Sequence, residues 1–158
     1  MVKVKFKKLH ELASIPKKAT ELAGGFDVTV TEIIQEDKDF VICKLGFALQ
    51  PPVNYKITLV PRSSLTKTRW ILQNTPGLGD ADYTGEYSFR FRAIPELCQL
   101  INWGSYQSTE LKYPKFPYKV GDRIGQMYLE EVIPTEFIEV EELEETKRGN
   151  GGFGSTDK

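Results

Sequence analysis

The tightest constraint in this sequence is a period of two. Val2, Val4 and Phe6 alternate with Lys3, Lys5 and Lys7, and the pattern returns in Phe26–Thr31, Tyr55–Leu59 and Tyr87–Arg92. Successive side chains of an extended strand point to opposite faces, so each stretch reads as a half-buried strand with one apolar and one solvated face. Clusters of Pro, Gly and Asn separate them, and long alternating helices are missing. The expected fold is all-β, a sandwich or barrel, and a Rossmann or Walker-type nucleotide fold is disfavoured. Pro95–Ile101 is the one candidate for a helix, though its length does not separate a helix from a buried strand.

With 158 residues, 40% of them hydrophobic, the chain has the size of one domain with a real core. A net charge of −1 supplies no global positive field, so nucleic acid and membrane surfaces are not expected partners, and an anionic ligand must be gripped locally. Cys43 and Cys98 lie far apart in apolar segments and read as buried free thiols. The basic N-terminus lacks the apolar run of a signal peptide, and no apolar stretch approaches the ~20 residues of a membrane span, so a soluble cytoplasmic protein is expected. His10 is the single histidine and lies near the first strand, which leaves a His-based acid, base or metal site without material.

Four segments hold polar groups beyond what strands and turns require. Pro61-Arg62-Ser63-Ser64-Leu65 follows a strand and offers a guanidinium fork, two hydroxyls and backbone N–H groups to phosphate oxygens; an ordinary strand-end turn also fits. Residues 74–86 (Asn74 to Glu86) read as a hairpin with an extended turn, where Asp80 and Asp82 at i, i+2 would face the same way beside Tyr83. A carboxylate there suits activation of a water beside a stacked sugar, and an Asx-stabilised turn is the plain alternative. In residues 118–127, a Val-Gly-Asp turn enters a strand whose Gln126 interrupts apolar positions, and a buried amide needs a partner in the protein or in a ligand. Finally, residues 148–156 carry Arg148, a glycine run, Phe153 and hydroxyls. Glycine N–H groups and an arginine suit a polyphosphate, with Phe153 free to stack on a base; a disordered tail is the other reading.

Taken in order, and with Ala23-Gly24-Gly25-Phe26-Asp27-Val28 upstream, these segments resemble the five motifs of the trimeric dUTPase family over nearly the whole chain. The resemblance implies a jelly-roll-like distorted β-barrel, residues 1–145, with a mobile C-terminal arm, residues 146–158. It implies a homotrimer with shared active sites, in which the arm closes a neighbour's site. The implied activity is hydrolysis of dUTP to dUMP and pyrophosphate, which keeps uracil out of DNA and supplies dUMP for dTMP synthesis.

On the family pattern, Asp80 matches the carboxylate that activates water for attack on the α-phosphorus, with Gln126 and Arg62 as the other catalytic groups. Tyr83 would lie under the deoxyribose, and Asn74, Leu78 and Gly79 would read uracil. Ser63 and Ser64 belong to the phosphate turn; Arg148, Phe153, Gly154 and Ser155 match the arm over the uracil and γ-phosphate. Asp27 matches the acid that meets Mg²⁺ through water, the ion riding on the triphosphate. Phosphoanhydride cleavage rests on positioning and on charge neutralisation, which Arg62, Arg148 and Mg²⁺ would provide.

Three positions depart from the pattern: Gly79 stands where the family usually has Ile or Val, Ser64 where Gly is common, and Gly125 where Ala is common. Gly79 is expected to loosen the hairpin that reads uracil. The connection at about 95–118 is longer than usual and carries Trp103, Tyr106, Tyr113, Phe116 and Tyr118, read as local packing or a protein-partner site. Two alternatives stay open: a nucleotide-binding regulatory module using the dUTP-bound state as a switch, and a dCTP deaminase-like enzyme.

Overall fold

The structure is a computed structural model that describes residues 1–103 and 106–152. Twelve strands appear in order: β1 (Lys5–Lys8), β2 (Phe26–Thr29), β3 (Glu32–Asp37), β4 (Phe40–Lys44), β5 (Phe47–Gln50), β6 (Tyr55–Pro61), β7 (Trp70–Leu72), β8 (Gly77–Gly79), β9 (Ser88–Ala93), β10 (Glu96–Trp103), β11 (Tyr106–Lys112) and β12 (Arg123–Glu131). Among the described residues every strand pairing is antiparallel. One four-stranded sheet runs β2-β12-β6-β8 and the other β3-β4-β9-β7, while β1-β5 and β10-β11 form two-stranded pairs.

The period-two reading accounts for the core. In β9, Phe89 and Phe91 are fully buried while Arg90 is exposed, and β4 buries Val41 and Cys43 in the same way. These side chains meet Val28, Ile57, Leu59, Ile124 and Met127 of the other sheet in one apolar cluster, giving the expected all-β, jelly-roll-like body. The sheets approach so closely at Gly125 that a Cβ there would lie 2.2 Å from Cζ of Phe89. Glycine at 125 is therefore the counterpart of a large aromatic facing it. Pro61 does not end β6 before pairing stops, since it is the last residue of that strand and sits opposite Gly125.

Two expectations are corrected in the long connection. Pro95–Ile101 forms no helix: Glu96–Trp103 is β10, paired with β11 from Glu96↔Lys112 to Trp103↔Tyr106. Among the described residues the hairpin pairs with neither large sheet, and Leu97 is 65% exposed where a buried strand was the other reading. Cys98, expected inside, is exposed for the same reason, whereas Cys43 is buried and its thiol is pushed up to about 12 by that burial. On the body side of the connection, Phe116 packs against Trp70, Phe91 and Tyr118 with centroids 4.9, 5.5 and 5.6 Å away. Phe116 and Tyr118 are thus local packing, and Tyr113 also lies against the core.

The last strand ends at Glu131, and residues 132–152 carry no strand or helix. This segment exposes Ile133, Phe137, Ile138 and Leu143. Among the described residues, no helix is long and apolar enough to cross a membrane.

Candidate functional site

The pairing of β12 with both β2 and β6 brings three of the sequence segments together. Gln126 stands opposite Asp27 on one side and Val60 on the other, and Gly125 stands opposite Pro61. The Asp27 side chain is 6% exposed, and Arg123 Nη1 donates to its Oδ2 at 2.8 Å. Gln126 Nε2 donates to its Oδ1 at 3.0 Å, and Arg62 Nε lies 3.6 Å from the same oxygen. A carboxylate removed from water is expensive unless paired and hydrogen-bonded, and Asp27 is both. The Gln126 amide therefore finds its partner within the protein.

Directly after β6, residues Ser63–Lys67 form a 3-10 turn. Leu65 is buried as its anchor, with its N–H donating to the Arg62 carbonyl at 3.0 Å, while Ser63 and Ser64 are exposed. Arg62 is held from two sides, because its Nη1 also donates to the Arg123 carbonyl at 3.2 Å. A cleft of about 410 Å³ joins this turn to Trp70 and to Thr75 at the start of the hairpin.

Asn74 uses both ends of its amide inside the fold. Its Nδ2 donates to the Ser88 carbonyl at 3.1 Å, and its Oδ1 accepts from Arg90 N–H at 2.8 Å. With both ends engaged, it braces the hairpin against β9, beside the edge of β8. There Leu78 is 64% exposed and Gly79 buried.

Asp80 and Asp82 do not share a strand face as expected, because β8 ends at Gly79 and both fall in the turn that follows. Asp80 is exposed, and its carbonyl accepts from Tyr83 N–H at 3.1 Å. The Tyr83 hydroxyl donates to the Glu86 carbonyl at 2.9 Å, which fixes the ring at the mouth of the turn.

The register of β6 with β8 sets Asp80 and Arg62 apart. Gly79 pairs with Ile57, so Asp80, one residue further, stands beside the Lys56 end of β6, while Arg62 follows the opposite end. The six steps from Lys56 to Arg62 span ~20 Å at the rise of an extended strand.

Arg148 is described, and its Nε donates to the Gly151 carbonyl at 2.9 Å; Phe153, Gly154 and Ser155 lie outside the described residues. Among the described residues, no group of three or more His, Cys, Asp or Glu side chains could cage a metal ion. Asp27 alone, with both oxygens engaged, fits an ion carried in by its ligand and met through water, not one bound by protein alone.

Two residues escaped the sequence reading. The Val-Gly-Asp turn is formed as expected, since the Asp122 carboxylate accepts from Lys119 N–H at 2.9 Å. Arg123 itself turns to Asp27, which only the register of β12 on β2 reveals. Tyr87 looked like an ordinary strand residue, yet its ring lies directly under Gly79, and the departure at Gly79 was the available signal.

A family model described as dUTPase matches residues 11–95 and 109–157, and the stretch it leaves out falls on the β10–β11 hairpin. The deoxyuridine 5'-triphosphate nucleotidohydrolase of Helicobacter pylori strain J99 is 34% identical over 157 residues, covering 98% of this chain and 97% of that protein. The protein of the same description from Nautilia profundicola is 37% identical over 159 residues, covering 99% of this chain and all of its own length. A mutant dUTPase of Staphylococcus bacteriophage 80alpha, solved with dUpNHpp, matches with a TM-score of 0.73 at 20% identity over 98% of both chains. A mutant dUTPase of phage phi11, described for its coordination of a structural Mg(II) ion, matches with a TM-score of 0.68 at 20% identity, covering 90% of this chain and 99% of that one.

Proposed function

The chain belongs to the dUTPase family, and from that premise we propose that it hydrolyses dUTP to dUMP and pyrophosphate at sites built between copies of itself. The placement of Asp80 and Arg62 at opposite ends of β6, ~20 Å apart along the strand, carries this reading, because it favours a site completed by a second copy over one within a single subunit. In the homotrimer, the Asp80–Tyr83 hairpin of one copy meets the Arg62–Ser64 turn and the Gln126 strand of a second. The arm carrying Arg148, Phe153, Gly154 and Ser155 comes from a third. The apolar segment with Ile133, Phe137, Ile138 and Leu143 is exposed among the described residues of its own subunit, which supports a partner copy as its cover.

In this arrangement Tyr83 lies beneath the deoxyribose and leaves no room for a 2′-hydroxyl. The backbone of β8 around Leu78 and Gly79 pairs with uracil. Arg62, with the hydroxyls and N–H groups of Ser63 and Ser64, holds the phosphate oxygens and draws off developing charge. Gln126, aligned by Asp27, faces the α-phosphate region. Asp80, exposed at the end of its strand, accepts the proton of a water aimed at the α-phosphorus, and pyrophosphate leaves opposite. Mg²⁺ bound on the triphosphate would neutralise its oxygens, with Asp27 its contact through water.

Pyrophosphate release from dUTP, with dCTP, dTTP and UTP alongside, tests the activity. Turnover of dUTP alone, abolished in Asp80→Asn, is the expected result; release of ammonia from dCTP would move the reading toward the dCTP deaminase-like alternative. A second reading rests on the β10–β11 hairpin, which pairs with neither large sheet and exposes Leu97 and Leu111. There a protein partner would sense the dUTP-bound state. Binding of dUTP without turnover, and a partner lost on deleting residues 96–112, would favour it.

A further inference from the structure

A Cβ at position 79 would lie 2.2 Å from Oη, 2.6 Å from Cε1 and 2.8 Å from Cζ of Tyr87, so not even alanine fits there while Tyr87 holds its place. Tyr87 is firmly held. It is 3% exposed, its N–H donates to the Phe47 carbonyl at 3.1 Å, and its carbonyl accepts from Leu45 N–H at 3.0 Å. Its ring stacks near Phe47 at 6.3 Å and meets Tyr83 edge-on, with centroids 5.4 Å apart and planes at 83°. Tyr83 in turn is tied to the Asp80 carbonyl and to Glu86. One aromatic therefore touches both the residue before Asp80 and the ring of Tyr83.

The space that a side chain at position 79 would take is filled from the opposite direction by the Tyr87 ring. The ring packed beneath Gly79 opposes the loosening of the hairpin expected from a glycine there.

We propose that Tyr87 is a positioning residue for nucleotide selection, admitted by Gly79 and acting through Tyr83 and the Gly79–Asp80 backbone. Its ring sets the height of Tyr83 under the sugar and supports the β8 edge that reads the base. This deepens the dUTP hydrolase reading and rests on it. The dependence is specific: the residues at 79 and 87 must be exchanged together.

The test compares Tyr87→Phe, Tyr87→Leu, Gly79→Ile and the double variant Gly79→Ile/Tyr87→Leu, reading kcat and KM for dUTP and UTP beside thermal melting. Tyr87→Phe keeps the ring and retains wild-type selectivity. Tyr87→Leu, still folded, loses the dUTP-over-UTP preference by about tenfold, mainly through KM for dUTP, as a displaced sugar platform requires. Gly79→Ile is impaired alone, and the double variant recovers selectivity to within about threefold of wild type, because the volumes again match. Unchanged selectivity in Tyr87→Leu, or a double variant no better than the worse single, would overturn the pairing while wild-type turnover stands. A wild type without dUTP turnover would overturn the underlying reading and the pairing with it.

Discussion

Two crippled variants should rescue each other if the active site is shared between copies. Asp80→Asn removes the base while keeping its shape, at a cost of ~10²–10⁴-fold in turnover. Arg62→Ala removes charge-assisted hydrogen bonds to phosphate worth ~1.5–3 kcal/mol, or about ten- to a hundredfold. Neither change should unfold the chain: Asp80 is exposed, and without Arg62 the buried Asp27 keeps Arg123 at 2.8 Å and Gln126 at 3.0 Å. When the two variants are co-expressed in equal amounts, a site is intact if its hairpin comes from the Arg62→Ala chain and its phosphate turn from the Asp80→Asn chain. With random assembly each condition holds for half the sites, so about one quarter of wild-type activity returns. Differently tagged chains, purified through both tags and assayed for pyrophosphate release, give the measurement; because both homotrimers are then removed, the expected recovery in the purified mixed trimers is about one third. Activity no higher than the mean of the two parents would refute the shared site and with it the argument from strand register.

Tyr87→Phe should leave stability unchanged or raise it by about 1 kcal/mol in denaturant melts, because the Tyr87 hydroxyl is buried with no hydrogen-bond partner among the described residues. Burial, with Tyr83 and Asp80 nearby, pushes the Tyr87 hydroxyl from 10.0 up to about 12. The folded value exceeds the unfolded one, so this stability is complete below pH 10 and is lost as pH rises toward 12. An ultraviolet tyrosinate titration of wild type against Tyr87→Phe should lack that late step in the variant. Gly125→Ala should destabilise by ~1–3 kcal/mol through overpacking against Phe89, and Phe89→Leu in the same chain should recover part of the loss. With a thiol reagent under native conditions only Cys98 should react, since Cys43 is buried with its thiol pushed up to about 12; fast labelling of both would contradict the packing.

The strand alternation and the chemistry-bearing segments could be read directly from the chain. A period of two is local, set by the pleat, and Phe89–Arg90–Phe91 carries it whatever the strand packs against. The same holds for residue types grouped within a few positions, such as Arg62-Ser63-Ser64 or Asp80 with Tyr83. Pro95–Ile101 eluded that reading because its short apolar run satisfies helix and strand alike, and its state was decided by pairing with the following strand, Tyr106–Lys112.

What the tertiary structure alone decided is who faces whom. The sequence marked Asp27, Arg62 and Gln126 separately, but their convergence, and the addition of Arg123, depend on the register of β12 against β2 and β6. Likewise the sequence showed Gly79 and Gly125 as departures, and only packing showed that Tyr87 and Phe89 fill the space each leaves. Side-chain volume and charge are properties of residues, whereas complementarity is a property of pairs brought together by long-range contacts. One antiparallel register also placed Asp80 and Arg62 at opposite ends of β6, a separation that no local pattern encodes.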